Sequence, residues 1–308
     1  MILALLAAPL KVTAAEQNGE SSDKQQNETT EQKTEEPEET APEMTTDLGL
    51  ASPSVFLMEA QTGTVLYEKN ASEQRSPASI TKIMTLLLIF EELEKGTLQL
   101  TDEVTTSAHA RRVGGSQGFL EEGEKQTVET MIKCIVVASG NDASVAMAEH
   151  SAGTESEFVS RMNQKAEELG LTNTHFENCT GLHNDNHYST CRDIAVLMSE
   201  CLKSDTFREI VTREVYTTEA TASHPEGITL YDTMLHRVTS YEMSTTLENG
   251  AVIEGGKTGF TDEAGQCLVS FAEYGGEEYI LVTAEAMTDS GSAVDSIADA
   301  STVYGRLQ

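Results

Sequence analysis

Basic residues are scarce in this sequence. Its 308 residues hold 20 Lys and Arg against 51 Asp and Glu, a formal charge of -31. So acidic a chain repels phosphate backbones, which disfavours nucleic acid as a partner, and the same sign disfavours a basic patch on anionic lipid. Tryptophan is absent and hydrophobic residues are lean at 38%. The apolar run Met1–Leu10 is too short for a bilayer, which needs about 20 residues. The five cysteines are odd in number and no two stand at C-x-x-C spacing, so a disulfide framework is not expected. No Walker motif, dinucleotide fingerprint or internal repeat is found.

The charge is unevenly spread. Residues 1–15 read as a signal-like segment, with an apolar core and small residues near Ala14–Ala15, although a basic start is missing. Residues 16–47 carry 11 acids against Lys24 and Lys33 and almost no large apolar side chain. That composition cannot offset its ordering entropy and predicts a disordered acidic linker. The remaining 48–308 predict one folded domain.

The folded part mixes periods. Ser54–Glu59 and Thr64–Glu68 predict a hairpin. Pro77–Glu94 predicts a helix capped by Ser76, with Pro77 first and Gly96 closing it, buried on most sides because Ile83–Phe90 is almost wholly apolar. Helices are expected at Thr127–Val137, with Cys134 as a small core residue, at Asp142–Ser151, Glu155–Leu169, Thr190–Leu202 and Ser292–Leu307. Strands are expected at Val252–Phe260, Gln266–Glu273 and Glu278–Ala286. The order predicts an α+β fold, with early and late strands in one antiparallel sheet covered by helices.

Three short motifs carry chemistry. Ser79-Ile80-Thr81-Lys82 puts a hydroxyl and an amine three residues apart, hence on one helix face. Lysine becomes a base only if burial or a neighbouring cation lowers its pKa. The Ser79 N–H, in the first turn, is a candidate oxyanion donor. Sixty residues on, Ser139-Gly140-Asn141 sits on a turn between helices, where a hydroxyl can relay a proton and an amide can bind a peptide carbonyl. Asn141 could equally be no more than the cap of the next helix. Lys257-Thr258-Gly259 lies in a strand after Gly255-Gly256, where a peptide could add to the edge and its anionic end meet Lys257 and Thr258. Each motif alone is also consistent with an ordinary helix start, helix break or solvated edge.

S-x-x-K, S-x-N and K-T-G in this order are the signature of penicillin-binding proteins and class A β-lactamases. From about Ala51 to the last helix the sequence resembles the low-molecular-mass penicillin-binding proteins, the serine D-Ala-D-Ala carboxypeptidases of peptidase family S11. The longer stretches SPASITKIMT (Ser76–Thr85), GGSQGF (Gly114–Phe119), SGNDAS (Ser139–Ser144), TGLHNDNHYSTCRDIA (Thr180–Ala195) and GGKTGFTDEAGQCL (Gly255–Leu268) carry the resemblance. It implies a penicillin-binding-protein-like transpeptidase fold with a helical subdomain. It also implies Ser79 as nucleophile, Lys82 as general base and Ser139 as proton relay. Asn141, Lys257, Thr258, Gly259 and Phe260 would bind substrate, with the N–H groups of Ser79 and Phe260 as oxyanion hole. Peptidoglycan stem peptides would be substrates and β-lactams covalent inhibitors, in the cell-wall compartment of a bacterium.

Two departures stand out. Family members often continue into a β-rich domain and an amphipathic anchor, and none is seen before Gln308. Leu230–His236 (LYDTMLH) matches an Asn-rich family segment loosely, which leaves open a further substrate contact. The segment with His183, Asp185 and His187 is Asn- and Asp-rich and loop-like with no further ligand cluster, so neither metal nor cofactor is expected. A D,D-endopeptidase is the nearest rival. A β-lactamase is disfavoured because no E-x-x-L-N segment follows Ser139. A non-catalytic penicillin-binding module would have no need of a nucleophile–base pair.

Overall fold

The computed structural model describes residues 47–287 and 292–308. The signal-like segment, and the acidic linker up to residue 46, lie outside the described residues. The chain opens with β1 (Ser54–Glu59) and β2 (Val65–Lys69), then a 3₁₀ turn, Ala78–Thr81, that runs directly into α1 (Lys82–Glu94). A helical subdomain follows: β3 (Glu103–Thr105), α2 (Ala108–Arg112), β4 (Lys125–Thr127), α3 (Val128–Val137), α4 (Asn141–Ala152), α5 (Glu155–Glu168), α6 (Cys191–Cys201) and α7 (Asp205–Val211). The hairpin β5 (Val215–Thr217) and β6 (Thr229–Tyr231) and the short α8 (Leu235–Ser240) lead back to the sheet. It is completed by β7 (Val252–Thr261), β8 (Gly265–Tyr274) and β9 (Glu277–Ala286), and α9 (Asp295–Tyr304) ends the order.

The five strands of the main sheet lie in the order β2-β1-β9-β8-β7 and every neighbouring pair is antiparallel. The first and last strands of the sequence thus share one sheet, as the order of elements predicts. Both faces are covered. Phe56, Met58, Val269, Phe271, Ile280 and Val282 pack with α1, α3 and α6, whereas Val55, Leu57, Leu268 and Leu281 pack with Ile297, Val303 and Tyr304 of α9. Alternate residues enter opposite cores, so these strands are apolar at nearly every position instead of alternating. The Tyr304 hydroxyl donates to the Ser270 carbonyl at 2.9 Å, which satisfies a phenol inside the second core. All five cysteines are free and buried, Cys134 inside the first core.

Strand β7 ends the order, so beyond its first residues one side of it has no strand partner among the described residues. The expected helix Pro77–Glu94 is corrected at its start. Pro77, not Ser76, is the cap, it makes no side-chain capping bond, and the first turn is 3₁₀. The cause is crowding from two backbones. A Cβ on Gly259 of β7 would lie 3.0 Å from both the Pro77 carbonyl oxygen and Ser79 N, and one on Gly181 would overlap the Ala78 carbonyl. Between them Ala78 is forced to φ 47° and the turn tightens. The far end agrees with expectation: Gly96 has φ 70°, and its N–H and that of Thr97 donate to Leu93 and Glu92.

Gly181 itself has φ 86°. Gly181→Ala should cost more than about 1 kcal/mol, because it meets both the wrong backbone region and a carbonyl. Urea unfolding measures this. An unchanged midpoint would mean the loop yields freely and does not wedge the turn.

Candidate active site

The 3₁₀ turn and α1 bring Ser79 and Lys82 together, with Lys82 Nζ 3.2 Å from Ser79 Oγ. The helix is buried around its first turns, so the amine is carried into the core and is 0% exposed. Two further acceptors meet it: Asn141 Oδ1 at 2.6 Å and the Thr180 carbonyl at 2.7 Å. Neither is charged. Burial, reinforced by the Lys257 cation, drives the Lys82 pKa well below the ordinary lysine value, against smaller opposing effects of Cys179 and Asp142. A neutral amine has two N–H bonds and one lone pair. The two oxygens take the N–H bonds, which leaves the lone pair for the Ser79 hydroxyl to donate to.

The turn between α3 and α4 supplies the next two groups. Ser139 stands at φ 56°, a left-handed conformation that a non-glycine side chain adopts at a cost. Its carbonyl accepts from Ser116 Oγ at 2.8 Å. Gly140, not Asn141, is the cap of α4, and Asn141 is the first helical residue. That releases its side chain for the site: Nδ2 donates to the Gly114 carbonyl at 2.6 Å, which fixes Oδ1 toward Lys82. Behind it Asp142, fully buried, accepts from the N–H groups of Gly118, Leu120 and Ala143 at 2.7, 3.0 and 2.9 Å. The Gly114–Phe119 segment is thereby pinned against the turn as a wall of the cleft, with the Phe119 ring 63% exposed.

The open strand β7 closes the site. Lys257 is buried and its Nζ donates to Ser139 Oγ at 2.9 Å and to the Thr258 carbonyl at 3.0 Å. Burial lowers its pKa to about 8, with Asp232 acting to raise it and Arg237 to lower it. Thr258 Oγ1 donates to Thr233 Oγ1 at 2.6 Å. The close approach of Gly259 sets the β7 backbone, with Phe260 next, beside the Ser79 N–H. The structure thus brings Ser79, Lys82, Ser139, Asn141, Lys257, Thr258, Gly259 and Phe260 to one cleft between the sheet edge and the helical subdomain. The Phe260 ring points to solvent, so its backbone is the part that faces the turn.

Sequence reasoning missed Thr180, Asp142, Asp232 and Thr233. Asp142 had a visible signal, an acid inside an apolar helix pattern beside Asn141; Thr180 acts through a carbonyl, which no side-chain pattern can reveal. His187 is a strut. Its Nδ1 accepts from the Glu177 N–H at 3.2 Å, so Nε2 carries the proton and donates to Thr81 Oγ1 at 2.7 Å. Burial, with His175 and His183 adding to it, lowers its pKa to about 4, so it is neutral. His183 instead faces the exposed Asp185. No group of three or more His, Cys, Asp or Glu is placed to hold a metal among the described residues. Among them, too, no helix is long and apolar enough to cross a membrane.

A five-stranded antiparallel sheet with a helical subdomain, and a serine–lysine pair at their junction, define a DD-peptidase-like serine enzyme fold. Residues 38–288 match the Peptidase S11 family model, described as D-alanyl-D-alanine carboxypeptidase, and the chain belongs to that family. It is 45% identical to the D-alanyl-D-alanine carboxypeptidase DacF of Bacillus subtilis over 245 residues, 79% of this chain and 60% of the relative. It is 34% identical to DacA of Escherichia coli K12 over 251 residues, 79% of this chain and 58% of the relative. The chain therefore spans about three fifths of the length of these two relatives. Among solved structures, a serine-to-alanine mutant of the Streptomyces K15 DD-transpeptidase superimposes with a TM-score of 0.73 at 31% identity, over 83% of this chain and 98% of that one. Penicillin binding protein 5 of Haemophilus influenzae matches with a TM-score of 0.70 at 28% identity, over 82% and 70%.

The geometry makes a prediction for Lys82 that does not depend on a substrate. In ¹³C-lysine NMR its Cε should titrate well below the surface lysines, which stand near about 10.4. Titration together with the surface set would contradict a neutral amine in this site.

Proposed function

We propose that this chain is a serine D-Ala-D-Ala carboxypeptidase, which removes the C-terminal D-alanine from peptidoglycan stem peptides through an acyl-enzyme on Ser79. The observation that carries the reading is the buried Lys82 amine, met by two uncharged oxygens and turned on Ser79 Oγ. The family relationship supports it.

The reaction follows from the positions. A stem peptide adds along the open side of β7, and its terminal carboxylate meets Lys257 and Thr258. Lys82 takes the Ser79 proton as Oγ attacks the carbonyl of the penultimate D-Ala. The N–H groups of Ser79 and Phe260 stabilise the oxyanion. Ser139, polarised by Lys257, gives its proton to the leaving D-Ala amine and is reprotonated with the proton Lys82 took from Ser79, so Lys82 is neutral again. Water then attacks the ester, with Lys82 again as base, and frees Ser79. Asn141 orients Lys82 and lines the peptide's path. β-Lactams acylate Ser79 in the same way and leave slowly, since no E-x-x-L-N glutamate follows Ser139 to activate water. In this reading residues 48–308 are the catalytic domain, 16–47 a spacer and 1–15 a secretory signal, so the enzyme works in the bacterial cell-wall compartment.

A pentapeptide ending in D-Ala-D-Ala should release D-Ala, and labelled penicillin should map to Ser79. Label on another residue, or cleavage of a cross-linked dimer in preference to D-Ala release, would overturn the assignment. Lys82→Arg should abolish acylation, because guanidinium stays charged. Lys257→Arg should keep part of the activity, and Lys257→Ala should lose about 10²-fold, since it removes an oriented charge. Because Lys82 must be neutral and Lys257 charged, kcat/KM should rise as Lys82 deprotonates and fall as pH passes about 8, where Lys257 loses its proton. A profile flat across that limb would exclude Lys257 as the cation.

A further inference from the structure

Asp232 is a buried acid for which the reaction above has no use. It follows β6, precedes α8 and is 1% exposed. Its Oδ1 accepts from the N–H groups of Met234 at 2.8 Å and Leu235 at 2.7 Å, which forms the turn into α8. Its Oδ2 is buried and has no hydrogen-bond partner among the described residues. An asparagine would make both turn bonds through its own Oδ1 without burying a charge. Keeping a carboxylate here, with one oxygen unsatisfied, costs stability that the turn does not require. What the carboxylate alone supplies is its negative charge.

The turn's position shows where that charge acts. Thr233, the next residue, accepts the hydrogen bond from Thr258 Oγ1, so the turn is tied to the Lys257–Thr258 strand. We infer that Asp232 is a positioning residue, whose carboxylate keeps Lys257 charged and so keeps the Ser139 hydroxyl and the substrate-carboxylate site in working order. The inference rests on the role given to Lys257 under Proposed function.

The charges around Lys257 explain the need. Its Nζ is bonded to two neutral oxygens, Ser139 Oγ and the Thr258 carbonyl, and is fully buried, which favours the uncharged amine. Arg237 of α8 pushes the same way, and Lys82 of α1 does so whenever it is protonated. Asp232, from the turn before α8, is the carboxylate that opposes them. Asp232 is itself raised to about 6 by burial, against the N–H bonds at its Oδ1 and the attraction of Lys257. Between about 6 and about 8 both groups are therefore charged. Below that window Asp232 is neutral but Lys257 holds its proton because the medium is acidic. The carboxylate matters at the alkaline end, where it delays the loss of that proton.

Asp232→Asn tests this with the turn bonds retained. The alkaline limb of kcat/KM for D-Ala release should move to lower pH by about one unit or more, the usual effect of removing a nearby opposite charge. For a limb moved by about one unit, activity should fall about threefold midway between the old and new limbs and roughly tenfold above both, while the acid limb set by Lys82 stays close to its place. Asp232→Glu, which keeps the charge but strains the turn, should lose stability yet leave the alkaline limb near that of the parent. A folded Asp232→Asn protein whose alkaline limb superimposes on the parent's would overturn the inference. If that variant does not fold, carboxyl NMR of Asp232 in the parent and in Lys257→Met gives the reciprocal measurement. Removing the ammonium must raise the Asp232 pKa by as much as the carboxylate raises that of Lys257, and an unmoved titration is a refutation. A parent that neither releases D-Ala nor binds penicillin would sink the proposed function instead, while the Asp232–Lys257 titrations would still decide the coupling.

Discussion

Taking an ammonium group out of water costs several kcal/mol, and proteins usually recover it with a carboxylate in contact. Among the described residues none is in contact with Lys82. Its bonded neighbours are a hydroxyl, an amide oxygen and a main-chain carbonyl. Such a site stabilises an amine in its neutral form, and it does so only while the two oxygens stay in place to accept its N–H bonds. Much of the surrounding structure serves that requirement. Asn141 is held by Gly114, and a Cβ on Gly115 would fall 2.5 Å from the Asn141 amide nitrogen. The Thr180 carbonyl is placed by Asn178 Oδ1, which accepts from the N–H groups of Thr180 and Gly181 at 3.1 and 2.7 Å. The loop that carries Thr180 is tied to the residues before the 3₁₀ turn by reciprocal backbone bonds between Arg75 and Ser189 at 2.8 and 3.0 Å.

The second lysine is treated differently although it is buried as deeply. Burial lowers the Lys257 pKa only to about 8, with Asp232 opposing the shift, and Lys257 bonds a serine that lies 60 residues from the first one in sequence. Two amines with similar burial thus differ in how far burial and the surrounding charges lower their pKa, well below the ordinary value for Lys82 and to about 8 for Lys257. Each also biases the other, since the Lys257 cation is among the causes of the lowered Lys82 pKa. In the function proposed above, a base and an electrostatic anchor that repel one another suit a site that holds an anionic peptide end beside a nucleophile.

Much of this was legible in the sequence, and the limits have physical causes. The five strands of the main sheet and the longer helices declare themselves through apolar runs and caps, within a residue or two at most ends except those of α9. β3, α2, β4, α7, β5, β6 and α8 were not foreseen, because elements of three to seven residues bury too few side chains to show a period. The motif residues could be placed on elements, but their meeting depends on three separate backbone approaches. The helix expected from Pro77 failed at its first turn for the same reason: Gly259 and Gly181, far away in sequence, decide the conformation of Ala78. Asp232 was passed over because the segment was read for asparagines, and an acid that acts through space leaves no mark in a motif.

Strain at the site follows from how it is assembled. Ala78 at φ 47° precedes Ser79, and Ser139 at φ 56° precedes the Gly140 cap of α4. Each such conformation costs about 1–3 kcal/mol and needs surroundings that leave no alternative. At Ala78 the constraint is steric, two glycine backbones with no space for a relaxed turn. At Ser139 it is polar. The N–H groups of Gly140 and Asn141 are taken by the Cys134 and Ser116 carbonyls at 3.0 and 2.8 Å, while Ser116 also donates to the Ser139 carbonyl. Relaxing Ser139 would break bonds on both of its sides. The two serines are therefore held by unrelated means, one by packing and one by hydrogen bonds, and each is met by its own lysine. A loss of packing that freed the 3₁₀ turn would move Ser79 and leave the Ser139–Lys257 pair standing. Ser79 and Ser139 are therefore separable in free-energy terms, and the buried Lys82–Asn141 bond is one of the links, with Ser151 to Glu92, between the helices that follow them.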